Sequence, residues 1–243
     1  IKKKHKCFLI EDSCHALGAK YTFKRKTYMI GSCRHSDIST FSLHPLKSIT
    51  TGEGGIITTN NEKIFKKLIL LRSHGIKRDK LFHWKYDVIH NGFNYRISDI
   101  NCALGISQLI KLNKFIKKRK NIFNHYYKHL NKFSKFIELP KYQNKNNASF
   151  HLFLIKLNLN ELSSNKDDFI KFMLKNKIIC QFHYIPIYKF QIWRKKNIKL
   201  QNCEKYYKTV ISLPIFFNLK KTQIDFIIKK IIVYLQNNKK SVN

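Results

Sequence analysis

Apolar positions fall first in short runs and later with helical spacing. Residues 7–10 (CFLI) form a continuous apolar run that stops at Glu11 and Asp12. That pattern predicts a short buried strand with carboxylates at its end, where open α/β sheets place their ligands. DSCHALGA reads as the loop beyond it, and DISTFSL at 37–43 as a second strand. HPLK and the glycine cluster TGEGG (51–55) follow, then a short β-rich stretch at 56–59. Thr59 and Glu62 have capping-box spacing and predict a helix through KIFKKLILLRS, which Gly75 can terminate. Strand, loop, strand, glycine loop, strand and helix in that order is α/β organisation.

The stretch from His74 to Tyr95 is irregular. Ser98 can cap a helix over DINCALGISQLIKL, and a long basic amphipathic helix restarts near Asn113. KYQNKNNAS (141–149) reads as a polar loop. Beyond it the periodicity predicts a strand at HLFLIKLN, a helix at DDFIKFMLKN, a strand-like IICQFHYIP and a last helix at TQIDFIIKKIIVYLQ. A boundary near residues 122–135 divides the chain into a larger domain, 1–125, and a smaller α+β domain, 126–243.

Composition changes the picture in one respect. Against 14 acidic residues stand 48 basic ones, a formal charge of +34. Lysine recurs from residue 2 to residue 240 in short blocks, arginine is scarce, and no nucleic-acid-binding motif is present. The charge therefore reads as a dispersed lysine-rich surface suited to a small anionic ligand, with no specific nucleic-acid partner. No apolar run reaches the roughly 18 residues a spanning helix needs, so no membrane partner is expected. The six cysteines are scattered, without zinc-ligand pairing, which suggests no metal and a reducing, cytoplasmic setting.

Two segments carry candidate chemistry. In FSLHPLKSITTGEGG, Lys47 stands between a strand end and a glycine turn, five residues after Ser42. A lysine fixed there could form a Schiff base with an aldehyde cofactor, and Ser42 could give its hydroxyl to a phosphate. A surface lysine beside an ordinary turn would look the same. Asp12 could hold a pyridine nitrogen protonated, or could be a cap or a loop ion-pair partner. His15 could sit beside a ring or pack in its loop.

IEDSCHALGA, FSLHPLKSITTGEGG, LLRSHGI and GFNYRISDINCALGISQL, in that order, resemble the DegT/StrS family of pyridoxal-phosphate-dependent sugar aminotransferases. SFHLFLIKL, CQFHYIPIY and SLPIFFNL extend the match over nearly the whole chain, while KFQIW at 189–193 departs from it. The resemblance implies the fold-type I transferase fold, with a partial large α/β/α domain and a small α+β domain. It implies pyridoxal 5′-phosphate bound as a Schiff base at Lys47, with Asp12 on its ring nitrogen, His15 beside it and Ser42 on its phosphate. Asn94 matches an asparagine that reaches the cofactor phosphate of a neighbouring subunit, which implies a homodimer with shared sites. His183 and Tyr184 match a sugar-proximal segment. Within the family, the HALGA, HYIP and NYR stretches look most like enzymes that aminate a UDP-linked 4-keto-6-deoxy-N-acetylhexosamine with L-glutamate, towards pseudaminic acid. Another nucleotide-sugar substrate, or an inactive fragment, is the alternative, and a basic nucleic-acid-binding protein is a remote one. Family members begin well before the strand-end aspartate, so this chain by itself is expected to be inactive and poorly soluble. A parallel sheet without the preceding strands would expose apolar edges.

Overall fold

The computed structural model describes residues 2–141, 147–193, 198 and 200–240. The chain has an α/β fold and divides into two compact units. One comprises residues 1–116 with 146–149, the other residues 117–145 with 150–243. The division falls inside one long helix, whereas the boundary drawn from sequence, 125/126, lies further along that helix.

In the first unit a short helix α1 (Lys2–His5) precedes β1 (Ile10–Asp12), the hairpin β2 (Lys20–Phe23) and β3 (Lys26–Met29), then β4 (Ile38–Ser42) and β5 (Gly55–Thr58). The sheet order is β1-β4-β5. β1 runs parallel to β4 with Asp12 opposite Thr40, and β4 runs antiparallel to β5 with Ser42 opposite Gly55. The sheet is thus mixed, because the glycine loop returns the chain directly beside β4 without the crossover that a parallel neighbour needs.

The first strand differs from the expected 7–10. It begins at Ile10 and includes both acids, since the pairing to β4 starts there; the Leu9 carbonyl accepts from the Asp37 and Ile38 amides, and its amide donates to the Asp37 carboxylate at 2.9 Å. Phe8 and Ile10 are exposed.

Helix α2 (Glu62–Arg72) is capped by Asn61, whose side chain accepts from the Lys63 and Ile64 amides. The expected Thr59–Glu62 box does not form, because the cap falls at Asn61, whose amide donates to the Thr59 hydroxyl at 3.1 Å while that hydroxyl donates to the Asp37 carbonyl at 2.7 Å. The helix closes with the Gly75 amide on the Leu70 carbonyl, and His74 as well as Gly75 takes a left-handed conformation. β6 (Ile76–Arg78) pairs with β7 (Tyr86–Val88), α3 (Asp99–Ile110) starts at the Ser98 cap, and α4 (Leu112–Leu130) follows almost at once.

The second unit holds the closed core. β8 (Ile137–Glu138), β9 (Phe153–Leu157), α5 (Lys166–Lys175), α6 (Gln201–Thr209), β10 (Val210–Leu213) and α7 (Lys221–Asn237) build an antiparallel sheet of order β10-β9-β8 with its helices. Phe153, Ile155 and Leu157 of the central strand are buried on one face. Phe123 of α4 packs its ring 5.0 Å from Phe150 and 4.9 Å from Phe153. Side chains of this size each contribute about 1.5–3 kcal/mol on full burial. The strand-like IICQFHYIP forms no strand; only Gln181 bridges to Ser212, whose main strand partner is already β9. Part of the 141–149 loop lies outside the described residues.

Candidate active site

Strand alternation decides which of the two adjacent acids can serve a site on a given face of the sheet. Glu11 and Asp12 point to opposite faces. Glu11 shares its face with Ser39, whose hydroxyl donates to the Glu11 carboxylate at 2.5 Å. Asp12 shares the other face with Thr40, its register partner, and with Ser42 two residues along. The Ser42 oxygen accepts the His44 amide at 3.3 Å and keeps its own proton to donate.

Lys47 stands on a loop closed at its base. The Leu43 amide donates to the Gly54 carbonyl at 2.9 Å, and the Leu43 carbonyl accepts from the Thr51 amide at 3.1 Å and the Thr50 hydroxyl at 2.9 Å. Inside it the Lys47 amide donates to the His44 carbonyl, and Ser48, Ile49 and Thr51 are buried ahead of the glycine turn. Gly54, at φ +152°, leaves only 2.5 Å between an added Cβ and the Thr51 hydroxyl, so a larger residue would open the loop. The Asn101 side chain of α3 donates to the Thr51 carbonyl and ties this loop to the helix start.

Asp12, His15 and Lys47 form one electrostatic cluster. A hydrogen bond from the Cys14 thiol, reinforced by the Cys14 amide and by the charges of His15 and Lys47, holds the Asp12 carboxyl below its ordinary range. It is therefore ionised at neutral pH. The structure brings these residues and Ser42 together at one end of the β1–β4 pair. Asn94 lies on a separate exposed segment, bridged to Ser73. His183 and Tyr184 belong to the second unit, where their rings meet edge to face at 4.6 Å. The sequence reading missed Cys14, Thr40 and Asn101. Asp-x-Cys is the spacing of an Asx turn and could have pointed to Cys14; the other two depend on strand register and loop placement.

Residues 1–232 match the model of the DegT/DnrJ/EryC1/StrS aminotransferase family. The chain belongs to this family. It is 38% identical over 242 residues to the UDP-4-amino-4,6-dideoxy-N-acetyl-β-L-altrosamine transaminase of Campylobacter jejuni (serotype O:2), covering 99% of this chain and 62% of the relative. GDP-perosamine synthase of Escherichia coli O157:H7 is 28% identical, with 95% and 59% covered. Among solved structures, a Helicobacter pylori aminotransferase involved in the biosynthesis of pseudoaminic acid superposes with a TM-score of 0.87 at 30% identity. That match covers 97% of this chain and 62% of the other.

The chain thus spans less than two thirds of the length of these DegT-family relatives. Pyridoxal 5′-phosphate is the cofactor of the family. The donor set fits it: an ionised carboxylate can face a protonated ring nitrogen, a loop amine can take an aldehyde, and Ser42 offers a hydroxyl on the same strand face. Among the described residues there is no cluster of metal-ligating side chains and no helix long and apolar enough to cross a membrane.

Proposed function

We propose that the protein aminates a keto group on a nucleotide-linked sugar, with pyridoxal 5′-phosphate as cofactor and L-glutamate as amino donor. The observation that carries this reading is the convergence of Asp12 and Lys47, on β1 and on the closed glycine loop, in a chain of the DegT family. When bound, the cofactor supplies an electron sink for the carbanion formed at the amino carbon. Asp12 would hold a proton on the ring nitrogen, and its depressed pKa keeps the required negative charge in place. Lys47 would anchor the cofactor by its amine and, once released, act as the base that takes the proton from the α-carbon of the donor. Ser42 would donate to the phosphate, and His15 would lie beside the ring. Asn94 would serve the site of a second copy in a homodimer, and His183 with Tyr184 would meet the sugar.

The substrate we favour is a UDP-linked 4-keto-6-deoxy-N-acetylhexosamine, supported by the identity to the Campylobacter transaminase. The likeness to GDP-perosamine synthase supports a second reading, another nucleotide sugar. Turnover of the whole protein, with the part that its relatives carry ahead of this chain, on L-glutamate and either the UDP-linked or a GDP-linked 4-keto sugar, read by mass spectrometry of the product, separates them. Amination of the UDP sugar alone is the expected result. Amination of the GDP sugar alone selects the second reading, and amination of neither sinks the function.

A further inference from the structure

We propose that Lys166 is a positioning residue for the sugar-facing segment: its buried ammonium fixes Phe182 and thereby sets His183 and Tyr184. The proposal rests on the reading of His183 and Tyr184 as the residues that meet the sugar. Lys166 breaks two local rules at once. It is the first residue of α5, where the positive end of the helix disfavours a cation and where Asp167 and Asp168 supply the favoured charge. It is also only 5% exposed, a rare depth for a lysine. Neither feature serves α5, whose start is already closed by the Asn165 capping box. Residues that break local rules without serving their own element are expected where function asks for them.

The partners of the ammonium lie on other elements. Its Nζ donates to the Tyr207 carbonyl at 2.5 Å. That carbonyl belongs to the last turn of α6, where carbonyls lack partners within the helix and a cation is favoured. Nζ also lies 3.7 Å from the Tyr207 ring centroid and 4.7 Å from that of Phe182. The two rings stand 5.7 Å apart at 74°. One buried charge therefore joins the start of α5, the end of α6 and Phe182.

The backbone just ahead of Phe182 is held as well. Gln181 exchanges both backbone hydrogen bonds with Ser212 of β10, at 3.0 and 2.6 Å. His183 and Tyr184 follow Phe182, and Tyr184 is 65% exposed. With the chain pinned at Gln181 and the next ring pinned by the ammonium, the two candidate side chains leave the core from a fixed start.

The test separates positioning from packing. Lys166→Met keeps the stem and removes the charge, and since no charge is left unpaired the urea midpoint of the second unit should fall little. Backbone hydrogen exchange at residues 182–184, read by mass spectrometry, should nevertheless quicken by about fivefold or more. In the whole protein, with the part that its relatives carry ahead of this chain, KM for the nucleotide sugar should rise about five- to tenfold while the half-reaction with L-glutamate keeps its rate. Lys166→Arg, which can stack on the same rings and donate to the same carbonyl, should restore both readouts. Unchanged exchange in Lys166→Met, equal losses in the two half-reactions, or an arginine variant no better than methionine overturns the role. If Lys166→Met does not fold, Phe182→Leu decides, because it leaves the lysine and its carbonyl bond in place: the same rise in KM is expected, and an unaltered KM overturns the role. A protein that turns over no nucleotide sugar sinks the aminotransferase reading, while the exchange measurement still decides whether Lys166 holds the segment.

Discussion

α3 and α7 are both rich in apolar side chains, yet α3 buries none of its residues within this chain while α7 buries Ile224, Ile227, Ile228, Ile231, Tyr234 and Leu235. The same contrast runs through the two units. The second is organised around rings and branched aliphatics: Phe123, Tyr126, Phe153 and Phe169 are wholly buried. The first carries the candidate chemistry and is organised at the site by hydrogen bonds: a loop closed on Leu43, an Asx turn at Asp12 and a side-chain tether from Asn101. Packing supplies the stability of one, and backbone geometry supplies the precision of the other.

Substitutions can break that contrast. Lys47→Ala should cost the most, lowering turnover by a factor of about a thousand or more, with little change in the unfolding transition of the second unit. An equal loss of stability would show that the loop is structural. Phe123→Ala should destabilise the second unit by about 3–5 kcal/mol, seen in urea unfolding, because its ring meets Phe150 and Phe153. Asn165→Ala removes a full capping box from α5 and should cost about 1 kcal/mol in the same measurement.

Acid should act on the second unit more gently. Asp225 is held low first by Lys221 at 2.7 Å and then by His125 of α4 at 2.5 Å. A depressed folded pKa means the contribution is complete above the ordinary carboxylate value and is lost as pH falls through the lowered one. Stability measured against pH should therefore decline below about pH 4, and Asp225→Asn should flatten that decline. Cys180 sharpens the contrast between the thiols of the two units: burial pushes it up to about 12, so it should resist alkylation in the folded protein.

Sequence made the helical core and the site segments legible to different degrees. Periodicity is strong in DDFIKFMLK and TQIDFIIKKIIVYLQ, and α5 and α7 follow it because each has one face to bury. The hairpin β2–β3 was not visible. Its turn is Lys24–Arg25, both at positive φ, where Asn-Gly would have announced it, and charged residues break its alternation. β10 is four residues long and follows α6 without a break, so no turn signal marks its start. At the site, motif order singles out Asp12 and Lys47 as candidates, while the separation of Glu11 and Asp12 onto opposite faces needed the register with β4. Cys14 stood inside a recognised motif, but its bond to Asp12 depends on how the chain turns at Ser13.

The central claim is that Lys47, alone among the lysines of a highly basic chain, carries the cofactor. Incubation of the whole protein with pyridoxal 5′-phosphate, reduction with borohydride and peptide mass spectrometry test it directly. The account predicts a phosphopyridoxyl adduct confined to the peptide containing Lys47 and absent from Lys47→Ala. A label on another lysine, or one spread evenly over the surface lysines, would contradict it.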